Sequence, residues 1–222
     1  VLFVLTRSRT SYGLVWKDLR ITRTTLKEVL RIGFPTSVQM GITSFSNVFV
    51  QSYINAFQSS CMAGWASYIK IDQFVGLTLQ TLSMAVTTFI GQNIGASRFD
   101  RARQGLRTTY IMMLICIAVE IIPIMIFAPA LVSMFNSDPD VVYYGTYFVR
   151  LISPFFPACC TANLIAAALR GAGDATSTMY ILLGSYVVFR QIYLFTVSHL
   201  TGALTPVALG YPAGWVVAMI AI

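Results

Sequence analysis

Charge is scarce in this 222-residue chain. Only 10% of its residues are Asp, Glu, Lys or Arg and 56% are hydrophobic, whereas a soluble domain carries about 25% charged residues. That shortage excludes an ordinary water-soluble globule. Histidine is nearly missing as well: His199 stands alone at the end of an apolar run and reads as a surface residue. With no His pair, no GxSxG and no acidic cluster, the chain lacks the groups an enzyme or a metal centre would use. The four cysteines, Cys61, Cys116, Cys159 and Cys160, lie in or beside apolar runs without metal-ligand spacing, so they read as packing residues. No Walker motif is present, so nucleotide is not indicated as a fuel. A signal peptide is not recognisable either. The formal charge of +7 does not imply nucleic acid as a partner, because the basic residues sit between apolar runs. Val1–Leu5 is too short to span a membrane, and Gly214–Ile222 stops inside an apolar run. Both ends read as cuts through helices, and a fragment of a longer chain is expected.

Long apolar runs are what the sequence does have. They predict an all-α, polytopic transmembrane helical bundle with the lipid bilayer as its partner. Complete spans are expected at about Ile32–Phe57, Cys61–Ile90, Leu106–Phe135, Val141–Leu169 and Ser177–Ser198. A cut-off sixth begins around Pro206–Pro212. Pro123 is expected to kink the third span, Pro154 and Pro157 to break the fourth, and Pro139 to open a helix. Before the first span, Thr6–Arg31 is basic and reads as a partly helical interfacial segment. Of the fifteen Lys and Arg, seven precede the first span, Arg98, Arg101, Arg103 and Arg107 follow the second, and Arg170 follows the fourth. These twelve fall on one side, which is expected to be cytoplasmic. The chain then reads as a multi-pass protein of the plasma membrane.

Polar groups inside the spans are the candidate functional residues. Gln39, Thr43, Asn47, Gln51 and Asn55 recur every fourth residue, a step that drifts about 40° per interval and makes a slanting stripe. It suits a cavity wall or, equally, hydrogen bonds between helices. Gln73 and Gln80 share a face of the second span. Five charges lie at membrane depth: Lys70, Asp72, Glu120, Arg150 and Arg190. Charge there costs several kcal/mol, roughly 2.5–3.5 per residue on insertion scales, so each is expected to face protein or a watery cavity. Glu120 and Arg190 lie at matching depth and are expected to pair. Asp72 is expected to pair with Arg150, or with Lys70 through a bend. Such pairs suit either a transport pathway or ion pairs that only lock helices together.

Several strings resemble one family. MAGWASYIKIDQF, TTFIGQNIGASRFDRAR, LRGAGD and YPAGW are similar to the second half of multidrug and toxic compound extrusion (MATE) transporters, from about Leu26 to the end. The resemblance implies one six-helix lobe of a two-lobe, twelve-helix protein. Residues 1–31 would be the tail of a preceding span and a basic linker, and 32–222 the C-lobe, with an N-terminal lobe as its partner. It implies a secondary antiporter that exports a small organic, often cationic, compound against Na⁺ or H⁺, with no cofactor beyond the transported ion. A flippase for lipid-linked oligosaccharide is the alternative within the superfamily. Many members carry coupling carboxylates in their seventh and tenth helices. Here the matching spans have none, leaving Asp72 and Glu120, so coupling is expected at Asp72 or in the N-terminal lobe.

Overall fold

The structure is a computed structural model that describes residues 22–222. The expectations for Val1–Leu5 and for Thr6–Ile21 lie outside the described residues. Among those described, every regular element is helical. In hydrocarbon a helix satisfies each backbone N–H and C=O within itself, which is why apolar runs of this length fold this way.

Helix α1 spans Arg23–Ile54, with Thr22 as its N-cap accepting from the Thr25 N–H. It starts nine residues before the expected span, because the basic residues Arg23–Arg31 simply continue the helix rather than lying apart from it. Helix α2, Ser59–Gly95, has 37 residues, about 55 Å at 1.5 Å per residue. It therefore outreaches a hydrocarbon core of about 30 Å. Helix α3 is Phe99–Ile126. Pro123 lies in its last turn rather than bending it midway, and the chain restarts as the short α4, Ala128–Ser133. Helix α5, Pro139–Ile152, opens on Pro139 with Asp138 as its cap. Pro154 and Pro157 remove two backbone donors. There the helix tightens into a 3-10 turn, Ser153–Phe155, before resuming as α6, Phe156–Gly171. Helix α7, Ala175–Leu183, runs through a π-helical turn, Gly184–Phe189, into α8, Arg190–Leu200. Helices α9, Leu204–Ala208, and α10, Gly210–Ala221, follow.

Four of these stretches are long and apolar enough to cross a membrane: Ser59–Gly95, Phe99–Ile126, Pro139–Gly171 and Ala175–Leu200. Helix α1 has the length but not the hydropathy, since amides and hydroxyls dilute its apolar content.

Helix α2 is the mast of the bundle, held at both ends by glycines. A Cβ at Gly64 would stand 2.7 Å from Tyr144 Cβ and 2.8 Å from Gly145 N, and one at Gly171 would stand 2.5 Å from the Thr87 carbonyl. Only hydrogen at these positions lets α2 lie this close to α5 and α6. Thr87 Oγ1 uses the proximity to donate to the Ala167 carbonyl, 3.0 Å away. Between the two crossings Trp65 is buried against Phe148, Tyr68 and Tyr211, with ring centroids 4.9–5.7 Å apart.

The expected ion pairs do not form. Thr78 Oγ1 donates to Glu120 Oε1, and Glu120 Oε2 is buried without a partner. Arg190 instead donates to Ser46 and Asn47. Asp72 accepts from Tyr68, Lys70 lies over the Phe135 ring, and Arg150 donates to the Met125 carbonyl. Matching depth fixes one coordinate only; which way each helix turns a side chain is set by packing, and Glu120 turns to α2 while Arg190 turns to α1 and α10.

Candidate functional site

The polar stripe of α1 divides into parts. Its middle bonds to another helix: Arg190 Nη2 donates to Ser46 Oγ and Asn47 Oδ1, both 2.8 Å, with its guanidinium 4.9 Å above the Tyr211 ring. Gln191 Nε2 also donates to Ser46 Oγ, at 2.8 Å. Arg190 is only 3% exposed, so its charge rests on neutral acceptors and a ring face. At one end Gln51 Nε2 donates to Asn55 Oδ1 along the helix surface, 2.8 Å. At the other, Gln39 Oε1 and Thr43 Oγ1 are buried without partners.

Gln39 opens onto a groove. A cavity of about 450 Å³ lies between α1, α2 and α6, lined by Thr36, Gln39, Gln80, Ser83, Thr87, Asn163 and Arg170 among apolar Met40, Leu79 and Met84. Ser83 Oγ there is buried and unpartnered too. A second hollow, about 600 Å³, continues along α2 and is lined by Lys70, Asp72, Gln73, Phe74, Leu77 and Gln80. Gly76 and Gln80 line both. From Lys70 to Thr88 the track covers about 27 Å of helix. A Cβ at Gly76 would meet nothing within 4 Å, so the glycine leaves the junction open.

Asp72 is the carboxylate of this track. Tyr68, one turn earlier on the same face, donates its phenol to Asp72 Oδ1 at 3.0 Å. Lys70 leans away along its stem to the Phe135 ring, 4.9 Å distant, consistent with the 200° between positions two apart. Glu120 and Arg150 lie off the track, Glu120 between α3 and α2 and Arg150 beside the end of α3. Outside the spans, Asp174 caps α7. The Ser177 backbone N–H, 3.0 Å from its carboxylate, holds the Asp174 pKa below the ordinary value.

Chemically, the track offers alternating donors and acceptors on an apolar wall, one carboxylate, and cations at its two ends. That arrangement suits a partly polar organic molecule, held without being transformed. Among the described residues no group of three or more His, Cys, Asp or Glu is placed to hold a metal. Sequence reasoning brought Gln39, Gln73, Gln80 and Asp72 to the track and placed Asn47 on the stripe. It missed Tyr68, Ser83, Asn163 and Arg170. Tyr68 was signalled by its four-residue spacing from Asp72, and Arg170 was hidden by its position in an apparent loop.

Comparison with known proteins fits this geometry. The MatE family profile matches residues 35–196. The probable multidrug resistance protein YoeA of Bacillus subtilis is 27% identical over 209 residues, 94% of this chain and 45% of that protein. The probable multidrug resistance protein NorM of Pasteurella multocida is 27% identical over 195 residues, 87% of this chain and 41% of that one. A crystal structure of MATE in complex with MaL6 shares the fold, with a TM-score of 0.89 at 20% identity over 98% of this chain and 50% of that chain. The chain thus spans about half the length of the curated relatives it matches. It belongs to the MatE family, a family of membrane transporters.

Proposed function

We propose that this chain is the C-terminal lobe of a secondary antiporter that exports a small organic compound in exchange for Na⁺ or H⁺. Residues 32–222 form the lobe, residues 1–31 link it to an N-terminal lobe, and the polar track along α2 is one wall of the passage between them. The protein sits in the plasma membrane with its basic segments on the cytoplasmic side, following the sorting of Lys and Arg. The observation that carries the reading is Asp72: a carboxylate in an open groove at membrane depth, held by one phenol and by no cation. Binding a proton or Na⁺ there changes the charge of the wall and biases which way the lobes face. Gln39, Gln73, Gln80 and Ser83 contact the exported molecule.

The test is dye efflux from proteoliposomes holding the protein at its full natural length, under an imposed Na⁺ or proton gradient. Efflux driven by one gradient, and slowed by Asp72→Asn, is expected. Efflux indifferent to both gradients overturns antiport. Unchanged efflux with unchanged ion dependence in Asp72→Asn removes the coupling role from that residue.

A further inference from the structure

A third hollow, away from the polar track, carries a different chemistry. It lies between α4 and α5, has a volume of about 770 Å³, and is lined by Pro129, Val142, Tyr143, Thr146, Tyr147 and Arg150 among others. Its one formal charge is Arg150, and no carboxylate lines it. Tyr143, Thr146, Tyr147 and Arg150 stand at i, i+3, i+4 and i+7 on α5, one continuous face. The opposite face of the helix, with Gly145 and Phe148, is buried against α2.

Two polar groups in this hollow are unfinished. Arg150 is exposed and its Nε donates to the Met125 carbonyl at 3.4 Å, near the end of α3. That contact engages Nε, and its Nη groups bond to no acceptor among the described residues. Thr146 Oγ1 is buried and has no partner. Helical threonines elsewhere in this chain (Thr81, Thr88, Thr108, Thr161) bond back to the carbonyl four residues earlier. Thr146 does not, so its hydroxyl is left without a bond one turn from Arg150.

An aromatic, arginine-bearing face of this kind on a membrane helix suits contact with lipid. We infer that this hollow is a phospholipid site, with the headgroup phosphate held by Arg150 and Thr146 and an acyl chain along Pro129, Val142 and Leu151. Arg150 lies about 16 Å along α5 from Pro139. Its Cβ tilts toward the start of the helix, so the side chain reaches back by about one turn toward the surface where α5 begins. Tyr143 and Tyr147 stand above it, amphipathic rings of the kind that gather at headgroup level. Tyr147 is fixed there by donating its phenol to Thr205 Oγ1, 2.6 Å away. A planar guanidinium matches two phosphate oxygens at once, and a bare cation facing hydrocarbon is otherwise unfavourable.

The inference is tested with the full-length protein in neutral detergent, measuring retention of phosphatidylglycerol by native mass spectrometry. Diacylglycerol and inorganic phosphate are the comparison ligands. Arg150→Gln is expected to weaken phosphatidylglycerol binding about tenfold or more, as loss of a charge-assisted contact does. Thr146→Val, which breaks no protein contact and keeps the fold if Arg150→Gln does not, is expected to weaken it several-fold. Arg103→Gln, near the start of α3, is expected to leave this binding unchanged. Equal binding of diacylglycerol, displacement by inorganic phosphate alone, or phosphatidylglycerol retention unmoved by both Arg150→Gln and Thr146→Val each overturn the site.

Discussion

The same substitution, glycine to alanine, is expected to have opposite effects at two positions in this bundle. At Gly171 a new Cβ stands 2.5 Å from the Thr87 carbonyl oxygen and 3.1 Å from Ile90 Cβ. Carbon and oxygen approach to about 3.3 Å at ordinary contact, so α2 and α6 must part by roughly 0.8 Å. Parting by that much carries the Thr87–Ala167 hydrogen bond, now 3.0 Å, out of bonding range. Overpacking costs about 1–3 kcal/mol and the lost bond about 0.5–1.5 kcal/mol, for a total near 2–4 kcal/mol. At Gly76 the new Cβ meets nothing, and the alanine gains about 0.5–1 kcal/mol from a less flexible unfolded chain. Thermal melts of the two variants, followed by tryptophan fluorescence in one detergent, are expected to move in opposite directions. Gly171→Ala should fall by roughly 5–15 °C while Gly76→Ala holds or rises slightly. If the two move together, the glycine crossing is not what sets the α2–α6 spacing.

Other predictions follow from single contacts. Tyr68→Phe removes the one hydrogen bond to Asp72 and is expected to alter the ion dependence of efflux while leaving the melting temperature within a few degrees of the parent. Ser46→Ala deletes a buried hydroxyl that accepts from both Arg190 and Gln191; it is expected to cost about 1–3 kcal/mol, read as a lowered melting point. The Asp174 pKa is depressed by its bond from the Ser177 N–H. Its stabilising effect is therefore complete above the ordinary aspartate range and fades as pH falls through the lower folded value. Asp174→Asn, which keeps a cap, is expected to flatten that acid dependence in melts taken between neutral pH and pH 3.

Much of the bundle was legible in the sequence because hydrocarbon imposes few solutions. Apolar length marked the helices, and Pro139, Pro154 and Pro157 acted where their missing donors predicted. The start of α1 was not legible. Arg23–Arg31 is polar enough to read as separate, yet nothing in it breaks a helix, so the helix runs on. The charge pairings were illegible for a different reason. Glu120 and Arg190 are expected at matching depth, but rotation about each helix axis is decided by packing, as where Gly105 on α3 lies against Phe89 and Gly210 lies against Leu194 on α8. A contact within one helix, Tyr68 to Asp72, needed only the four-residue spacing; contacts between helices needed the assembled bundle.

The π-helical turn at Gly184–Phe189 makes the last third of the bundle sensitive to chain length by a single residue. Leu182, Tyr186, Arg190 and Leu194 are all buried, though a regular helix would carry residues twelve apart about 120° out of line. The wide turn takes up one residue, about 100° of that rotation, and brings the four back onto one side. Deleting one residue between 184 and 189 would let the helix close regularly with Arg190 still aimed at Ser46, whereas inserting one more would swing Arg190 a quarter turn or more away. The turn can therefore lose a residue without re-aiming the helix but cannot gain one, and the most deeply buried cation among the described residues is aimed by an irregularity rather than by the helix itself.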